Sequence, residues 1–254
     1  MTTALYPSLR DKVVFITGGS TGIGSEFVIE FARQGAKVGF NGRNEAAAAE
    51  LIASVGKAAH TPLFVKCDVT DVAQLKDSIA RAVEAFGDID VLINNVANDD
   101  RHQIENIDLE YFEWMVAINL RPHIFAIQAV LPGMQRKGGG SIINVGSISW
   151  MRKNPTVPLY ATLKSACQGM TKTFAKGQGK HRIRVNHLIA GWTMTEKQKR
   201  MWLDEAGEKA IAEGQCLPDK VQPSDVAAMA LFLAADDSQM ISAQDFIVDG
   251  GWAH

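Results

Sequence analysis

A glycine-rich turn between an apolar strand and a helix is the feature that most constrains the fold of this chain. The apolar run Lys12–Ile16 predicts a strand, the turn occupies residues 17–24, and residues 25–34 show a helical periodicity that ends at Gly35. Glycines in such a turn allow a tight bend, let a pyrophosphate approach the backbone, and let the helix pack closely on the sheet. A purely structural tight turn is the alternative, because this pattern alone is weak evidence for a nucleotide site.

The rest of the chain continues the alternation of strands and helices. Further strands are predicted at residues 37–40, 63–67, 90–93, 141–145, 183–189 and 246–248, with helical stretches between them. This alternation predicts an α/β fold, a single-domain doubly wound parallel sheet of about seven strands with helices on both faces. The 254 residues, of which 46% are hydrophobic, suffice for one such domain over residues 1–254.

Two prolines fall in the longest helical region, which begins near Asp108. Proline removes a backbone hydrogen bond and clashes with the preceding turn of a helix. We therefore expect Pro122 to kink this helix and Pro132 to lie close to its end.

Charge and cysteine content exclude several kinds of partner. The net charge is −2 and the basic residues form no long block, so we expect binding to neither nucleic acid nor a membrane surface. The N-terminal segment Met1–Pro7 lacks a basic start followed by an apolar stretch, and no apolar run looks long enough to cross a bilayer, which predicts a cytoplasmic protein. The cysteines, Cys67, Cys167 and Cys216, are far apart and show no ligand spacing, so neither a disulfide framework nor a metal site is predicted.

The residues after the second strand bear on the choice of dinucleotide. In dinucleotide folds that prefer NAD, an acidic residue about 20 residues after the glycine turn holds the ribose 2′-hydroxyl. Residues 41–44 contain no acid, but Arg43 stands there, and its guanidinium can pair with a 2′-phosphate. This favours NADP over NAD, with a solvated loop arginine as the alternative.

Ser147, Tyr160 and Lys164 form a candidate catalytic set. Tyr160 and Lys164 are four residues apart and would share one face of a helix, while Ser147 follows a predicted strand. A nearby cation favours the phenolate and so lowers the pKa of a tyrosine, which would allow Tyr160 to give or take a proton. The alternative is a surface helix with an unrelated Tyr and Lys, since helices satisfy this spacing by chance.

Other polar residues lie at strand ends or among apolar neighbours. Asp68 follows the third strand, at the edge where open parallel sheets bind ligands, and Asp71 is expected to cap the next helix. The amides of Asn94 and Asn95 follow the fourth strand, where we expect them to hold the carbonyl ends of neighbouring strands and border a cofactor, with a plain strand-end turn as the alternative. Asn119 lies among apolar residues, and we expect it to be either a satisfied core amide or part of a proton path.

Taken in order, these motifs resemble the short-chain dehydrogenase/reductase superfamily over essentially the whole chain. The motifs are Thr17-Gly18-x-x-x-Gly22-Ile23-Gly24, Asp68-Val69, Asn94-Asn95, Asn119, Ser147, Tyr160-x-x-x-Lys164 and the loop at Gly191. The resemblance implies a Rossmann-like NAD(P)-binding domain. It also implies that Tyr160 is the general acid/base, that Lys164 lowers its pKa and holds the nicotinamide ribose, that Ser147 orients the substrate oxygen, and that Asn119 holds a relay water.

The same resemblance implies the cofactor contacts. The phosphates would be lined by Gly18, Ser20, Thr21 and Ile23, the adenine by Asp68 and Val69, the ribose side by Asn95, and the carboxamide by Thr193. The chain departs from the family pattern at Val96-Ala97, where Ala-Gly is usual, and at Ala190, where Pro is usual. Because both sites act largely through backbone, we expect small shifts near the nicotinamide.

Within the superfamily, the chain resembles bacterial aldose 1-dehydrogenases of the xylose dehydrogenase type. The resemblance lies in residues 5–9, 98–102, 146–150 and 215–217. It implies a sugar whose anomeric hydroxyl is oxidised to a lactone, bound by loops 98–106 and 190–215. The candidate sugar-binding residues are Asn98, Arg101, His102, Ser147, Asn154 and Tyr160, with Trp150 or Trp192 against an apolar sugar face. For the loop residues the alternative is an ordinary loop or interface contact.

Two other functions stay open on the sequence alone. One is a reductase that works in the opposite direction on a 3-oxoacyl thioester or a keto sugar acid. The other is a catalytically silent, cofactor-sensing protein, against which the intact Ser147, Tyr160, Lys164 and Asn119 argue, because a sensor needs no proton relay. Family analogy further implies a homotetramer built through long helices and the C-terminal strand.

Overall fold

A seven-stranded parallel sheet forms the centre of the protein, as described for residues 4–253 by a computed structural model. Met1 to Thr3, which open the N-terminal segment considered above, and His254 lie outside the described residues. The strands are β1 (Val13–Ile16), β2 (Lys37–Gly42), β3 (Leu63–Lys66), β4 (Val91–Asn94), β5 (Gly140–Ser147), β6 (Ile183–Ala190) and β7 (Asp245–Val248).

Helices connect the strands and cover both faces of the sheet. In the described part of the chain they are α1 (Gly22–Arg33), α2 (Glu45–Val55), α3 (Val72–Phe86), α4 (Leu109–Asn119), α5 (Arg121–Lys137), α6 (Pro158–Gln178), α7 (Glu196–Trp202), α8 (Glu205–Gly214) and α9 (Pro223–Ala234). Asp71 caps α3 as expected, accepting hydrogen bonds from the backbone of Ala73 and Gln74.

The strand order is β3-β2-β1-β4-β5-β6-β7, and every neighbouring pair is parallel. The order reverses direction between β1 and β4, and such a switch point opens a crevice at the carboxyl ends of the strands. The predicted doubly wound α/β sheet with seven strands is therefore confirmed.

Two apolar cores lie on opposite faces of the sheet. Alternation along β1 sends Val14 and Ile16 to the core shared with α1, α2 and α9, and sends Val13 and Phe15 to the core shared with α3, α5 and α6. The burial of both faces explains why the strands are almost continuously apolar.

The long helical region differs in detail from the sequence prediction. Instead of one kinked helix there are two helices, α4 and α5, that meet at Leu120, and Pro122 lies in the first turn of α5, where its missing N–H costs nothing. Pro132 lies inside α5, which runs five residues further to Lys137, so the expectation that this proline lies close to the helix end was wrong.

The combined stretch Leu109–Lys137 bears on the expectation that no apolar run is long enough to cross a bilayer. Its length and composition would allow it to span a bilayer, contrary to that expectation. Half of its most apolar window is buried within the protein, as in the core helices of many folded domains. Within the described residues, these two helices therefore pack as part of the core.

Candidate active site

A large cleft opens at the carboxyl ends of the strands, beside the switch point between β1 and β4. Its volume is about 1550 Å³, above the range of roughly 300–1,000 Å³ that is typical of a pocket for one small molecule. The glycine turn lines one part of it, and Ser147, Tyr160 and Trp192 line another. The cleft therefore has room for a dinucleotide and a second molecule side by side.

The glycine turn is held in shape by asparagines from the strands on either side. Asn41 of β2 accepts the N–H of Gly18 at 3.0 Å through its side chain and the N–H of Gly19 at 2.9 Å through its backbone. Asn95, just after β4, donates its side-chain amide to the carbonyls of Thr17 at 3.0 Å and Gly18 at 3.1 Å. Asn95 thus holds the carbonyl end of the neighbouring strand β1, as expected for a short amide at this position.

The turn has the features that a pyrophosphate requires. Gly18 adopts a φ of +67°, and a Cβ on Gly24 would lie 2.1 Å from the carbonyl oxygen of Gly18, so the helix start approaches the turn as closely as glycine allows. Thr21 caps α1 without a side-chain hydrogen bond, and the buried hydroxyl of Ser20 has no partner among the described residues. These free donors at a helix N-terminus fit an anion such as the phosphates of a dinucleotide.

The part of the cleft beside β2 and β3 carries the exposed cation of Arg43. Arg43 follows β2, lines the cleft and forms no ion pair with any described residue, while the neighbouring Asn41 is buried and donates to Ser78. Asp68 and Val69 line the cleft after β3, and one oxygen of Asp68 already accepts hydrogen bonds from Thr70. This geometry leaves Arg43 as the group free to meet a 2′-phosphate.

Ser147, Tyr160 and Lys164 meet at the deep end of the cleft. Ser147 is the last residue of β5, and its hydroxyl accepts the N–H of Ser149 at 3.2 Å. Tyr160 lies in the first turn of α6, near enough to Ser147 for that side chain to affect its pKa. Lys164 is 1% exposed, and its Nζ donates to the carbonyl of Val145 at 2.7 Å and lies 5.9 Å from the centre of the Tyr160 ring. The structure therefore brings together the three residues that the sequence singled out.

Burial dominates the electrostatics of this set. It raises the pKa of Tyr160, and the negative charge of Asp99 adds to the rise, whereas the side chain of Ser147 opposes it. Burial also lowers the pKa of Lys164. In the protein chain alone the pKa of Tyr160 is therefore raised, because desolvation of the phenolate is the largest cause, and a lowering by Lys164 stays a prediction.

Asn119 is a fully satisfied core amide at the end of α4. Its Oδ1 accepts the N–H of Asn98 at 2.9 Å, and its Nδ2 donates to the carbonyl of Met115 at 3.1 Å. The side chain thereby ties the loop after β4 to α4, close to the catalytic set. This arrangement agrees with the first of the two readings of Asn119, and its part in a proton path stays a prediction.

Residues after β4 are tied to α7 by a group of charged contacts. Lys197 forms ion pairs at 2.8 Å with both Asp99 and Asp100, and Gln198 donates to Asp99 at 2.6 Å. Gln198 also accepts the indole N–H of Trp192 at 2.8 Å. Sequence reasoning missed these contacts, because the partners are almost 100 residues apart and no spacing signals them.

His102 does not line the cleft, in contrast to its predicted role as a sugar-binding residue. Its Nδ1 contacts the carbonyl of Asp100 at 2.9 Å and its Nε2 accepts the N–H of Leu159 at 3.1 Å. Both nitrogens are thus used, and the second contact satisfies a backbone donor in the first turn of α6, next to Tyr160. His102 is a positioning residue in this structure.

The remaining candidate sugar contacts lie at the cleft, with the exception of Trp150. Asn98, Arg101, Asn154 and Trp192 line it, whereas Trp150 does not. The Oδ1 of Asn154 is used by the backbone and hydroxyl of Thr156. Thr193 lines the cleft as well, and its hydroxyl donates to the carbonyl of Gly191 at 3.2 Å.

Two tryptophans, Trp192 and Trp202, line the cleft, and a third, Trp252, lies behind Trp192. Trp192 stacks on Trp252 with ring centres 6.3 Å apart. The guanidinium of Arg152 lies 3.4 Å from the centre of the Trp252 ring, and that of Arg101 lies 4.7 Å from the centre of the Trp202 ring. Sequence reasoning missed Trp202, Trp252 and Arg152, which carry no motif of their own.

No group of three or more His, Cys, Asp or Glu side chains within residues 4–253 is placed to hold a metal ion. The cysteines are all free, Cys67 and Cys167 being buried and Cys216 exposed.

Comparisons with known proteins find relatives over nearly the full length of the chain. A family model described as enoyl-(acyl carrier protein) reductase matches residues 18–253. The chain is 39% identical to a D-xylose 1-dehydrogenase of Caulobacter vibrioides, with 99% of this chain and 100% of the relative covered. It is 40% identical to a probable galactose dehydrogenase of Rhizobium meliloti, with 97% and 96% covered.

Solved structures show the same architecture. A short-chain dehydrogenase/reductase from Serratia marcescens has a TM-score of 0.90 at 30% identity, covering 97% of this chain and 100% of that one. A blue fluorescent protein from a metagenomic library, solved with NADPH, has a TM-score of 0.89 at 31% identity with the same coverage. A 7α-hydroxysteroid dehydrogenase, solved with NADH and a 7-oxo bile acid conjugate, has a TM-score of 0.92 at 28% identity, with 97% of each chain covered.

Proposed function

The chain belongs to the short-chain dehydrogenase/reductase family and is an oxidoreductase acting on CH–OH groups, and we propose that it oxidises the C1 hydroxyl of an aldose to the lactone with NADP or NAD as hydride acceptor. The observation that carries this proposal is the meeting of Ser147, Tyr160 and Lys164 in a cleft that also contains the glycine turn. The two sugar dehydrogenases among its relatives support an aldose as the substrate class.

In this proposal the chain's own residues handle the proton. Ser147 holds the C1 oxygen, and Tyr160 takes the hydroxyl proton as the C1 carbonyl forms. Lys164 holds positive charge beside the phenolate and faces the nicotinamide ribose, while Asn119 orients a relay water. The oxidised nicotinamide, when bound, accepts the hydride from C1 and brings a positive charge near Tyr160.

The proposed cofactor contacts follow the shape of the cleft. Residues of the glycine turn would hold the phosphates, Asp68 and Val69 the adenine, and Arg43 a 2′-phosphate. Toward the nicotinamide, Asn95, Tyr160 and Lys164 would face the ribose and Thr193 the carboxamide. Free donors around Ser20 and the N-terminus of α1 support the phosphate position.

The proposed preference for NADP can be tested at one residue. Arg43→Asp should raise the Kd for NADP by at least about tenfold and leave that for NAD unchanged or lower, because a carboxylate repels a 2′-phosphate and accepts a 2′-hydroxyl. Fluorescence titration with both cofactors measures this directly. Arg10→Asp, an equal charge change far from the cleft, should leave both constants unchanged. An unaltered preference in the Arg43 variant would show that Arg43 does not read the phosphate.

A panel of substrates tests the proposed reaction. Aldoses with NAD and NADP in parallel should yield reduced nicotinamide, and ketones and acyl thioesters with the reduced cofactors should be turned over more slowly. The second candidate is reduction of a keto substrate, either a 3-oxoacyl thioester or a keto sugar acid; the family model, described as enoyl-(acyl carrier protein) reductase, supports no more than acyl thioesters as a substrate class to include in the panel. If a 3-oxoacyl thioester or a keto sugar acid is reduced faster than any aldose is oxidised, our proposal is wrong and the protein is a reductase. Cofactor binding with no turnover of any panel member would favour the sensor.

We also propose a homotetramer in the cytoplasm. Exposed apolar side chains on α4 and α5 support the assembly, since Leu109 is 72%, Phe112 45% and Ile124 40% exposed in the single chain. Ile124→Glu should shift the molecular mass in light scattering from that of four chains to a smaller species, because the carboxylate would be buried unpaired at an interface. Leu5→Glu, at an exposed apolar residue on another part of the surface, should leave the mass unchanged. A monomer in the unmodified protein would contradict the proposal.

A further inference from the structure

Two arginines in the cleft lack the carboxylate partner that such residues usually have. Arg101 and Arg152 both line the cleft and are half-buried, and neither forms an ion pair with any residue of the described chain. A partly buried guanidinium without a counter-ion is unfavourable, because it loses water without gaining a partner. Two such guanidinium groups at one end of a cleft therefore indicate that an anion binds there.

The backbone brings these two arginines to the same end of the cleft. The N–H of His102 donates to the carbonyl of Thr156 at 3.0 Å, which joins the segment after Arg101 to the loop that begins at Arg152. Burial is the main cause that lowers the pKa of Arg152, and the positive charge of Arg101 adds to it, as expected when two cations lie near each other.

Each guanidinium is fixed by an indole. Arg152 lies over Trp252 at 3.4 Å and Arg101 over Trp202 at 4.7 Å, measured from the guanidinium carbon to the ring centre. Stacking uses the flat face of a guanidinium and leaves its in-plane N–H donors available. The indole N–H of Trp202 is also buried without an acceptor among the described residues. This end of the cleft is thus rich in unpaired donors.

The nearby acids are already engaged. Asp99 binds Lys197 and Gln198, and Asp100 binds Lys197 and Asn98. Asp204 also lines the cleft and caps α8, accepting the N–H of Gly207 at 2.8 Å. Arg101 does lower the pKa of Asp100, but as the weakest of its causes, behind Lys197 and Asn98. Among residues 4–253, no carboxylate is therefore dedicated to the arginine pair.

We infer that Arg101 and Arg152 bind an anionic group on the aldose, so that the preferred substrate is an acidic sugar, with a carboxylate or phosphate remote from C1, rather than a neutral one. Planar guanidinium edges match a carboxylate or a phosphate through two parallel hydrogen bonds, so a uronic acid and a sugar phosphate share the chemistry that this pair recognises. The inference rests on the proposed function for the reaction at C1. In that reaction the C1–H bond breaks and its hydride goes to the oxidised nicotinamide, while the proton of the C1 hydroxyl goes to Tyr160. The anionic group is unchanged.

Matched pairs of sugars test the inference. We expect kcat/KM for D-galacturonate or D-glucuronate to exceed that for D-galactose or D-glucose by at least about tenfold at low salt, with the advantage reduced as ionic strength rises. D-glucose 6-phosphate distinguishes the two sources of charge, since a higher value for it than for the uronates would assign the site to phosphate. Equal or higher values for the neutral sugars would overturn the inference and leave the proposed function standing.

Variants connect the selectivity to the arginines. Arg152→Gln should reduce the ratio of kcat/KM for the uronate to that for the neutral sugar by about tenfold or more, and Arg152→Lys should reduce it less, since a lysine keeps the charge without the fork. Arg81→Gln, at an exposed arginine of α3 outside the cleft, is the control and should leave the ratio unchanged. An unchanged ratio in a folded Arg152→Gln protein would refute the role of this residue.

A binding measurement tests the anion site independently of aldose oxidation. Calorimetry of the protein saturated with oxidised cofactor should show tighter binding of D-glucarate, which has carboxylates but no oxidisable C1, than of the neutral sorbitol. If glucarate binds but no aldose is oxidised, the proposed function fails and the anion site stands. If glucarate binds no better than sorbitol, the anion site fails whatever the turnover shows.

Discussion

Tyr160→Phe should lower kcat for aldose oxidation by about 10²–10⁴-fold, the usual contribution of a positioned general base. The phenyl ring keeps its packing against Met115, Leu159 and Leu163, so the site should retain its shape and its dinucleotide Kd. What is lost is the hydroxyl beside Ser147 that takes the proton in our proposal. Stopped-flow measurement of reduced nicotinamide, together with a fluorescence titration of the cofactor, separates the two effects.

The dependence on pH gives this prediction a second readout. Because the base is the phenolate and burial raises the pKa of Tyr160, oxidation by the unmodified protein should speed up as pH rises, whereas the residual rate of the variant should lack this rise. Tyr6→Phe provides the control, since Tyr6 packs on the core at the opposite sheet face and does not line the cleft. A Tyr160 variant within tenfold of the normal rate would remove Tyr160 from its proposed role.

Gly24→Ala should abolish detectable dinucleotide binding, a loss of roughly 100-fold or more in affinity if the turn shifts by an ångström. The new Cβ would lie 2.1 Å from the carbonyl oxygen of Gly18 and 2.7 Å from the Asn95 amide, and backbone has to move to relieve the first contact. Movement of Gly18 also breaks the hydrogen bonds that Asn41 and Asn95 make to the turn. Equilibrium titration with NADP and NAD measures the loss.

A second glycine offers a matched control for this substitution. Gly169 lies in α6, and a Cβ there would meet no atom within 4 Å. Gly169→Ala should therefore keep full cofactor affinity and raise the free energy of unfolding by about 0.5–1 kcal/mol, because alanine loses less backbone entropy in a helix. Normal cofactor binding by a folded Gly24→Ala protein would show that the turn does not hold the dinucleotide in the way proposed.

The sequence predicted those features that depend on local pattern. Each strand ends within a few residues of its expected position, since a buried parallel strand needs a continuous apolar run that is easy to recognise. Parallel strands also place their carboxyl ends at one edge, so the glycine turn after β1, Asn95 after β4 and Ser147 at the end of β5 had to lie together.

Features that depend on contacts between distant segments were not predictable in this way. The ion pairs of Lys197 with Asp99 and Asp100, and the stacking of Arg152 on Trp252, join residues about 100 positions apart. His102 is a further example. Its residue type and position suggested a sugar contact, but its Nε2 accepts the N–H of Leu159, which is 57 residues away in the chain. The raised pKa of Tyr160 was not predicted, because the spacing to Lys164 reveals a neighbouring charge but not the extent of burial.

The weakly buried pair of helices α7 and α8 has a consequence for motion in this protein. No residue of α7 is buried, and only Gly207 and Ile211 are buried in α8, whereas both faces of the sheet are packed in apolar cores. Segments with little buried apolar area open at a small fraction of the free energy of global unfolding. We therefore expect residues 196–214 to exchange their amide hydrogens faster than the sheet and the candidate catalytic residues on β5 and α6, with the contacts of Lys197 and Gln198 to Asp99 as their main restraint.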